Sequence, residues 1–326
     1  PDVVPMAAHG AFAGVAGLGA VVPVSVDPFL LEVLLSPAAG IFAFVWGLLW
    51  GSFANVVIHR VPQGLSILRP RSRCPSCETP IAAYDNIPVL SYLLLRGRCR
   101  HCGEPFALRY LMVELMCGVL SVALYMKVVY VPLVAGGGIL LAPWLVWFAF
   151  GLCLLVVVYI DLDAWIIPDV IVLPMAGLGL VLALVVPEWL GVEVVEALVA
   201  ACLGYGTFAG IRWIYQRTRG IEALGLGDAK LLLMVGAFTG LPGLVWTIGM
   251  GALQGVLISV PLLLLGRNVA NTDLQEVHGD DPELGEEDPD ARVIGRRVPF
   301  GPFLAVAALE FVLLRDAIEG WLGVAY

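Results

Sequence analysis

The chain has 326 residues, of which 60% are hydrophobic and 14% are charged, and its formal net charge is −9. Soluble domains average about 45–50% apolar and about 25% charged residues, so this composition argues against an ordinary soluble enzyme. It indicates instead a membrane protein with several spanning helices, and nothing in it indicates nucleic-acid binding.

Residues 1–37 form an N-terminal segment rich in Gly, Ala and Val, to which we assign no element. Its apolar run 11–26 is short and has no basic stretch before it, which argues against a signal peptide.

Apolar runs of membrane length follow. A spanning helix requires about 20 mainly apolar residues, and we predict about eight of them. The first occupies 38–58, six form a transmembrane core within 110–266, and the last lies in 299–326. The sixth is short, and the turn Leu241-Pro242-Gly243 separates it from the seventh. The predicted fold is an all-α polytopic membrane protein with a small cytoplasmic module. The candidate runs are 39–58, 110–130, 139–160, 166–186, 193–213, 229–241, 243–265 and 300–323.

The basic residues predict the orientation. With eight spans, sixteen of the eighteen Lys and Arg residues fall on one side, and only Lys127 and Arg315 lie elsewhere. Basic loops mark the cytoplasmic side, so both termini are predicted to lie outside. The same alternation predicts that Asp161 and Asp228 lie at the cytoplasmic ends of the third and sixth spans.

The cytoplasmic loop 59–109 carries two C-x2-C pairs separated by 21 residues. Four thiolates at this spacing are typical of a structural zinc site of the zinc-ribbon kind. Disulfides or a redox dithiol are the alternatives, and a cytoplasmic location disfavours structural disulfides. Gly103 suits the turn after the second pair, whereas Glu78 is less usual after the first. The predicted ligands are Cys74, Cys77, Cys99 and Cys102.

The second cytoplasmic loop, 267–298, is acidic and contains Pro and Gly. Such a composition is typical of a solvated, mobile segment, and docking of a partner is the alternative reading. No internal repeat is evident in the chain.

Acidic residues at the ends of the apolar runs are the main functional candidates, because an ionisable group at membrane depth is costly. An aspartyl protease needs two neighbouring carboxylates, one acting as a base on water and the other as an acid. Asp161 and Asp163 are two residues apart and point to different helix faces, so they are not the expected pair.

Asp228 follows Gly225 and Gly227, whose missing side chains allow close backbone approach. Alone this G-x-G-D pattern is a weak signal. Asp169 follows Pro168, where stabilisation of a helix N-terminus is the simpler interpretation.

Other polar residues near the apolar runs have two readings. Glu114, Glu310 and Asn55 lie within or at the ends of predicted spans. Each is a candidate for a substrate pathway, but a structural hydrogen-bonding role is the favoured interpretation.

In these motifs the chain resembles the bacterial type IV prepilin peptidases, which are bifunctional leader peptidases and N-methyltransferases. Many short matches occur in the same order along most of the chain. They are Gly51–Pro62, the two Cys pairs, Asn86–Pro88, Ser91-Tyr92, Arg109-Tyr110, Glu114, Ile160-Asp161, Pro168-Asp169, Gly225–Asp228 and Pro299–Pro302.

The resemblance implies that Asp161 and Asp228 are the catalytic pair and that Gly225 and Gly227 form the active-site loop. It implies an enzyme of the bacterial inner membrane that removes a basic leader from type IV prepilins or type II secretion pseudopilins. Cleavage follows a Gly at the cytoplasmic face, and the leader's positive charge makes Asp163 and Asp169 candidates for substrate binding.

The same resemblance implies methylation of the new N-terminus with S-adenosylmethionine as donor. No glycine-rich nucleotide fingerprint follows a strand, so this activity rests on the resemblance, and no residues are assigned to the donor. The competing functions are an ion- or proton-coupled transporter with a zinc-binding loop and a non-catalytic assembly factor of a secretion machine. Acids of transporters usually lie near the bilayer midplane.

Overall fold

The computed structural model describes residues 27–219, 225–264 and 299–323. The described part is helical and contains no strand beyond two isolated bridges in the cysteine module, which confirms the predicted all-α class. The acidic loop 267–298 and residues 1–26 of the N-terminal segment lie outside the described residues.

Seven helices of seventeen residues or more form the body of the described chain. They are α2 (Pro37–Arg60), α4 (Leu108–Tyr125), α6 (Leu141–Ala164), α7 (Asp169–Val185), α9 (Val194–Arg219), α10 (Leu226–Leu264) and α11 (Gly301–Leu322). Shorter helices are α1 (Pro28–Leu35), α3 (Leu90–Leu94), α5 (Val131–Val134) and α8 (Pro187–Leu190). A π-helical stretch, Met126–Tyr130, joins α4 to α5, and a 3-10 turn spans Ala83–Asn86.

Helix α1 lies in the segment to which the sequence assigned no element. The Asp27 side chain accepts a hydrogen bond of 2.8 Å from the Phe29 N–H, and Pro28 is the first helical residue. Both are ordinary signals for a helix start, but the helix is too short to show as an apolar run.

Five described helices are long and apolar enough to cross a membrane. They are Pro37–Arg60, Leu108–Val134, Leu141–Ala164, Val194–Arg219 and Leu226–Pro261. The predicted count of eight is not confirmed, because α7 has only 17 residues, α11 is not among the five, and α10 contains two of the predicted spans. The chain is nevertheless a multi-pass membrane protein.

Helix α10 reverses direction at Gly240, whose φ of 66° and ψ of −164° break the helix. A Cβ built on Gly204 of α9 would lie 2.8 Å from the Leu232 carbonyl and 3.0 Å from Leu244 Cδ1, on opposite sides of the break. One residue of α9 therefore contacts both halves, as in a helical hairpin. The predicted turn at 241–243 is displaced by one residue, and Pro242 begins the second half instead of ending the first.

The helices pack so that the candidate acids, at the end of α6 and the start of α10, are buried. Helix α2 packs closely against α4 through Gly47 and Gly51, because small residues let membrane helices approach. Helix α6 contacts α2, α4 and α11, while α10 contacts α7, α9 and α11. The stacked rings of Phe150 and Phe238, 4.4 Å apart, join α6 directly to α10.

Candidate active site and metal centre

Asp161 lies in the last turn of α6, and 5% of its surface is exposed. The helix ends at Trp165, which adopts a left-handed conformation with φ of 54° and donates its N–H to the Asp161 carbonyl at 3.0 Å. This turn directs the chain through Ile167 to Pro168, the residue immediately before α7. The Asp161 Oδ2 atom is buried and has no hydrogen-bond partner among the described residues.

Asp228 lies in the first turn of α10, and 8% of its surface is exposed. A negative charge in the first turn is stabilised by the helix dipole. Gly225 precedes the helix, and a Cβ built on it would lie 3.5 Å from Asp228 Oδ2. Among the described acidic residues, only Asp161 and Asp228 are buried.

Ile167 lies between Gly227, which precedes Asp228, and Gly301, which lies against Asp161. A Cβ built on Gly227 would lie 3.0 Å from Ile167 Cβ, and a Cβ built on Gly301 would lie 3.0 Å from Ile167 Cδ1. The Gly301 Cβ would also collide with Asp161 Oδ2, and the Gly301 amide lies against the same carboxyl. Asp161 acts electrostatically on Asp228. The ends of α6, α10 and α11 therefore converge on one buried pair of acids.

Asp163 forms an ion pair with Arg109 at the start of α4. The Arg109 guanidinium bonds to both carboxylate oxygens of Asp163, at 2.7 and 2.5 Å, and reaches the Tyr159 carbonyl at 3.4 Å. It also lies over the Tyr159 ring, 5.0 Å from the centroid. Arg109 thus joins α4 to the turn of α6 that carries Asp161.

Asp169, in the first turn of α7, is paired with Lys230 of α10, whose Nζ lies 2.7 Å from both carboxylate oxygens. Both candidates for substrate binding, Asp163 and Asp169, therefore already have basic partners on another helix. Binding of a basic leader by these acids stays a prediction.

The other ambiguous polar residues make hydrogen bonds within the protein. Asn55 Nδ2 donates to the Tyr110 carbonyl at 3.0 Å, and Glu310 Oε1 accepts from Gln254 at 2.7 Å. Glu114 Oε2 accepts from the Val89 N–H at 2.7 Å. These contacts fit the structural reading, and Asn55 and Glu114 also face a large cleft.

The four cysteines of the module form one cluster. Their sulfur atoms all lie within 4.8 Å of one another, with 3.8 Å between Cys74 and Cys102 and 3.9 Å between Cys77 and Cys99. A tetrahedral zinc ion with Zn–S bonds of about 2.3 Å places its sulfur ligands about 3.8 Å apart. The donor set and its spacing therefore fit a structural zinc ion.

Hydrogen bonds favour the thiolate forms of Cys77 and Cys99, and the thiolate is the form that binds metal. The Thr79 hydroxyl and backbone amide lower the pKa of Cys77 to about 6. The backbone amides of Cys102 and His101 likewise lower the pKa of Cys99.

Each C-x2-C pair lies in a knuckle, which is a short turn flanked by an isolated β-bridge. The second knuckle repeats the first 25 residues later, although no repeat was evident in the sequence. In the first knuckle, Cys74 N–H donates to the Thr79 carbonyl and Glu78 N–H to the Cys74 carbonyl. In the second knuckle, the equivalent bonds are Cys99 to Glu104 and Gly103 to Cys99. The signal for the repeat is the pattern R-C-x2-C-x2-P, whose Arg and Pro form the two isolated bridges, Arg73 with Pro80 and Arg98 with Pro105.

Comparison with known proteins gives matches over both parts of the chain. The bacterial peptidase A24 N-terminal domain matches residues 45–128, and the type IV leader peptidase family matches residues 148–263. A Myxococcus xanthus protein named prepilin leader peptidase/N-methyltransferase is 35% identical over 319 residues, which cover 85% of this chain and 91% of the relative. The chain belongs to the type IV leader peptidase family.

Further relatives carry the same printed name. The Aeromonas hydrophila protein is 34% identical over 85% of this chain and 91% of its own length. The Klebsiella pneumoniae protein is 41% identical over 62% of this chain and 85% of its own length. No solved structure matches the chain. Membership confirms the predicted peptidase with methyltransferase activity, and nothing in the comparisons supports the transporter alternative.

The family matches contain the acids and the cysteines, but not every residue at the site. The second match includes Asp161 and Asp228, and the first includes all four cysteines and Glu114. Gly301 lies beyond both, and sequence reasoning assigned it no role although it is part of the Pro299–Pro302 motif. Arg109 belongs to the Arg109-Tyr110 motif, but the sequence does not reveal it as the partner of Asp163.

Proposed function

We propose that this chain removes the basic leader from type IV prepilins or type II secretion pseudopilins, using Asp161 and Asp228 as the catalytic pair, and then methylates the new N-terminus. The observation that carries the proposal is the burial of these two acids, alone among the described acidic residues, at the junction of α6, α10 and α11.

Hydrolysis by such a pair needs one proton shared between two carboxylates. One carboxylate accepts a proton from water, whose oxygen bonds to the scissile carbonyl carbon, and the other donates a proton to the carbonyl oxygen. The C–N bond then breaks, and the leaving amine takes up a proton from the pair. The shared proton belongs to the pair and not to one residue.

The apolar segment of the substrate packs beside α6, α7 and α10 in this proposal, which brings the cut site to the buried acids. The predicted distribution of Lys and Arg supports an active site that faces the cytoplasm from the bacterial inner membrane. Near the site, a basic leader competes with Arg109 and Lys230 for Asp163 and Asp169.

The cysteine cluster holds a structural zinc ion in this proposal, with Cys74, Cys77, Cys99 and Cys102 as ligands. The ion closes the two knuckles on each other, because a module of this size has little core of its own. S-adenosylmethionine, when bound, supplies the methyl group for the amine that cleavage exposes.

The test uses separate Asp161→Asn and Asp228→Asn variants, purified in detergent and assayed on a synthetic prepilin. Each isosteric change removes one acid–base group, so cleavage should fall by about 10²–10⁴-fold in both. Asp316→Asn is the control, because this acid is exposed and lies on the far part of α11 from Gly301. Cleavage at the wild-type rate by either of the two variants would refute the pair.

A further inference from the structure

A cleft of about 500 Å³ lies between the membrane helices and the cysteine module. Ser52 and Asn55 of α2 and Glu114 of α4 form its inner wall, while Pro75 and Tyr92 belong to the module side. Small-molecule sites typically have volumes of about 300–1,000 Å³. Neither Asp161 nor Asp228 lines the cleft, so it is separate from the peptidase site.

Glu114 gives the inner wall a carboxylate that lacks a basic partner. Its Oε2 accepts from the Val89 N–H at 2.7 Å, and the Ser52 hydroxyl lies beside it. Both groups are neutral, and no Lys or Arg of the described chain forms an ion pair with Glu114. A negative group in a partly desolvated cleft without a cation beside it is complementary to a cationic ligand.

Val89 shows that the backbone beside Glu114 is strained. Its φ of 62° is a rare conformation for a β-branched residue, and it stands at the start of α3 on the cleft wall. Such strain costs of order 1–3 kcal/mol, persists only where the surroundings enforce it, and concentrates at functional sites. The bond from the Val89 N–H to Glu114 is one such constraint, so the carboxylate and the strained residue form one unit.

The opposite part of the cleft is basic and aromatic. Arg73 is exposed and has no hydrogen-bond or ion-pair partner among the described residues, whereas Arg60 is bonded to the Ser66 and Pro70 carbonyls. The rings of Tyr92 and Phe106 also line the cleft. The cleft thus combines Glu114 on its inner wall with aromatic faces and with Arg69, Arg73 and Arg98, whose side chains have no partner among the described residues. Glu78 and Asp85 also line it, and Asp85 is paired with Arg100.

We infer that this cleft binds the methyl donor, with Glu114 beside the sulfonium and Arg73 beside the carboxylate of the donor's amino-acid part. A sulfonium amino acid with an adenine ring matches the anion, the cation and the aromatic rings in one molecule. A basic leader peptide fits less well, because four arginines, Arg60, Arg69, Arg73 and Arg98, outnumber the three carboxylates that line the cleft, Glu78, Asp85 and Glu114. The inference rests on the proposed methyltransferase function.

The test is equilibrium binding by calorimetry on the full chain in detergent, without prepilin, using S-adenosylmethionine and S-adenosylhomocysteine. The second ligand has no charge on sulfur. Glu114→Gln should weaken binding of S-adenosylmethionine about tenfold or more, and binding of S-adenosylhomocysteine far less. Arg73→Gln should weaken both ligands, while the control Arg71→Gln, an exposed arginine outside the cleft, should change neither.

A second measurement does not depend on the folding of a variant. Ultraviolet cross-linking of radiolabelled S-adenosylmethionine to the wild-type chain should label peptides within 52–114 and none within 159–230. Unchanged affinities in Glu114→Gln and Arg73→Gln, or label confined to 159–230, would overturn the inference and leave the peptidase proposal intact. The inference would also be overturned if a leader peptide alone displaced the donor. It would be overturned too if a chain that cleaves prepilin did not bind the donor.

Discussion

At the scale of single residues, the close approach of Gly301 to Asp161 most directly limits the space in the candidate active site. The Gly301 α-carbon lies so close to Asp161 that a side chain there would displace the carboxyl. Sequence reasoning could identify Asp161 from its Ile-Asp motif, but not this contact, because 140 residues separate the two positions. Only the packing of α11 against α6 brings them together.

Gly301→Ala should therefore reduce prepilin cleavage strongly, by about tenfold or more, while the protein remains folded. The added methyl group pushes the Asp161 carboxyl away from its place, and small displacements of catalytic groups are costly. Gly320→Ala on the same helix is the matched control, since a Cβ there has no neighbour within 4 Å. Equal cleavage rates of the two variants would show that Asp161 does not need this space.

The two knuckles offer a second test at the same scale. Glu78 and Gly103 occupy equivalent positions with φ of 55° and 76°. The left-handed conformation costs a residue with a side chain roughly 1–2 kcal/mol. Glu78→Gly should raise the unfolding temperature of the zinc-loaded protein, and Gly103→Ala should lower it. A loss of stability in Glu78→Gly would mean that the Glu78 side chain contributes a contact of its own.

At the scale of elements, the sequence indicated most of the long helices because their apolar runs are unmistakable. The residue at which α10 reverses direction was harder to predict from the sequence. Pro242 suggested that the turn follows Leu241, but the proline fits the first turn of the next helix, and Gly240 takes the non-helical conformation instead. The Leu241 N–H donates to Glu196 at 3.1 Å, a tertiary contact that no local pattern reveals.

Arg109 connects two elements, and its pair with Asp163 gives a prediction at this scale. Arg109→Gln and Asp163→Asn should each lower cleavage several-fold, because each frees the turn that positions Asp161, and the double variant should be no worse than either single variant. Arg96→Gln, in the cysteine module and with no ion-pair partner among the described residues, is the control. A raised KM for a basic leader in Asp163→Asn alone would support leader binding by Asp163 instead.

At the scale of the whole molecule, two separate sites lie on one bundle. The acid pair lies where α6, α10 and α11 converge, and the cleft lies where α2 and α4 meet the cysteine module. Cys74 and Pro75 of the first knuckle line the cleft, so a zinc ion that holds the knuckles together also holds the cleft wall. In the proposed assignment, cleavage and methylation take place at different positions on the same chain.

The sequence predicted the chemistry of these sites better than it predicted the contacts around them. The cysteine spacing and the G-x-G-D motif are local patterns whose chemistry requires those residues, so they could be recognised without a fold. The strain at Val89, its bond to Glu114 and the burial of both aspartates depend on contacts between distant helices. The number of spans also stayed open, because hydropathy alone does not separate a short helix such as α7 from a full span.

The most direct test of the central claim is a double-mutant cycle on prepilin cleavage, with Asp161→Asn, Asp228→Asn and the double variant compared by kcat/KM. Residues that act as one catalytic unit are strongly non-additive. We predict that each single variant loses as much activity as the double variant. Independent losses that multiply in the double variant would contradict a shared catalytic pair.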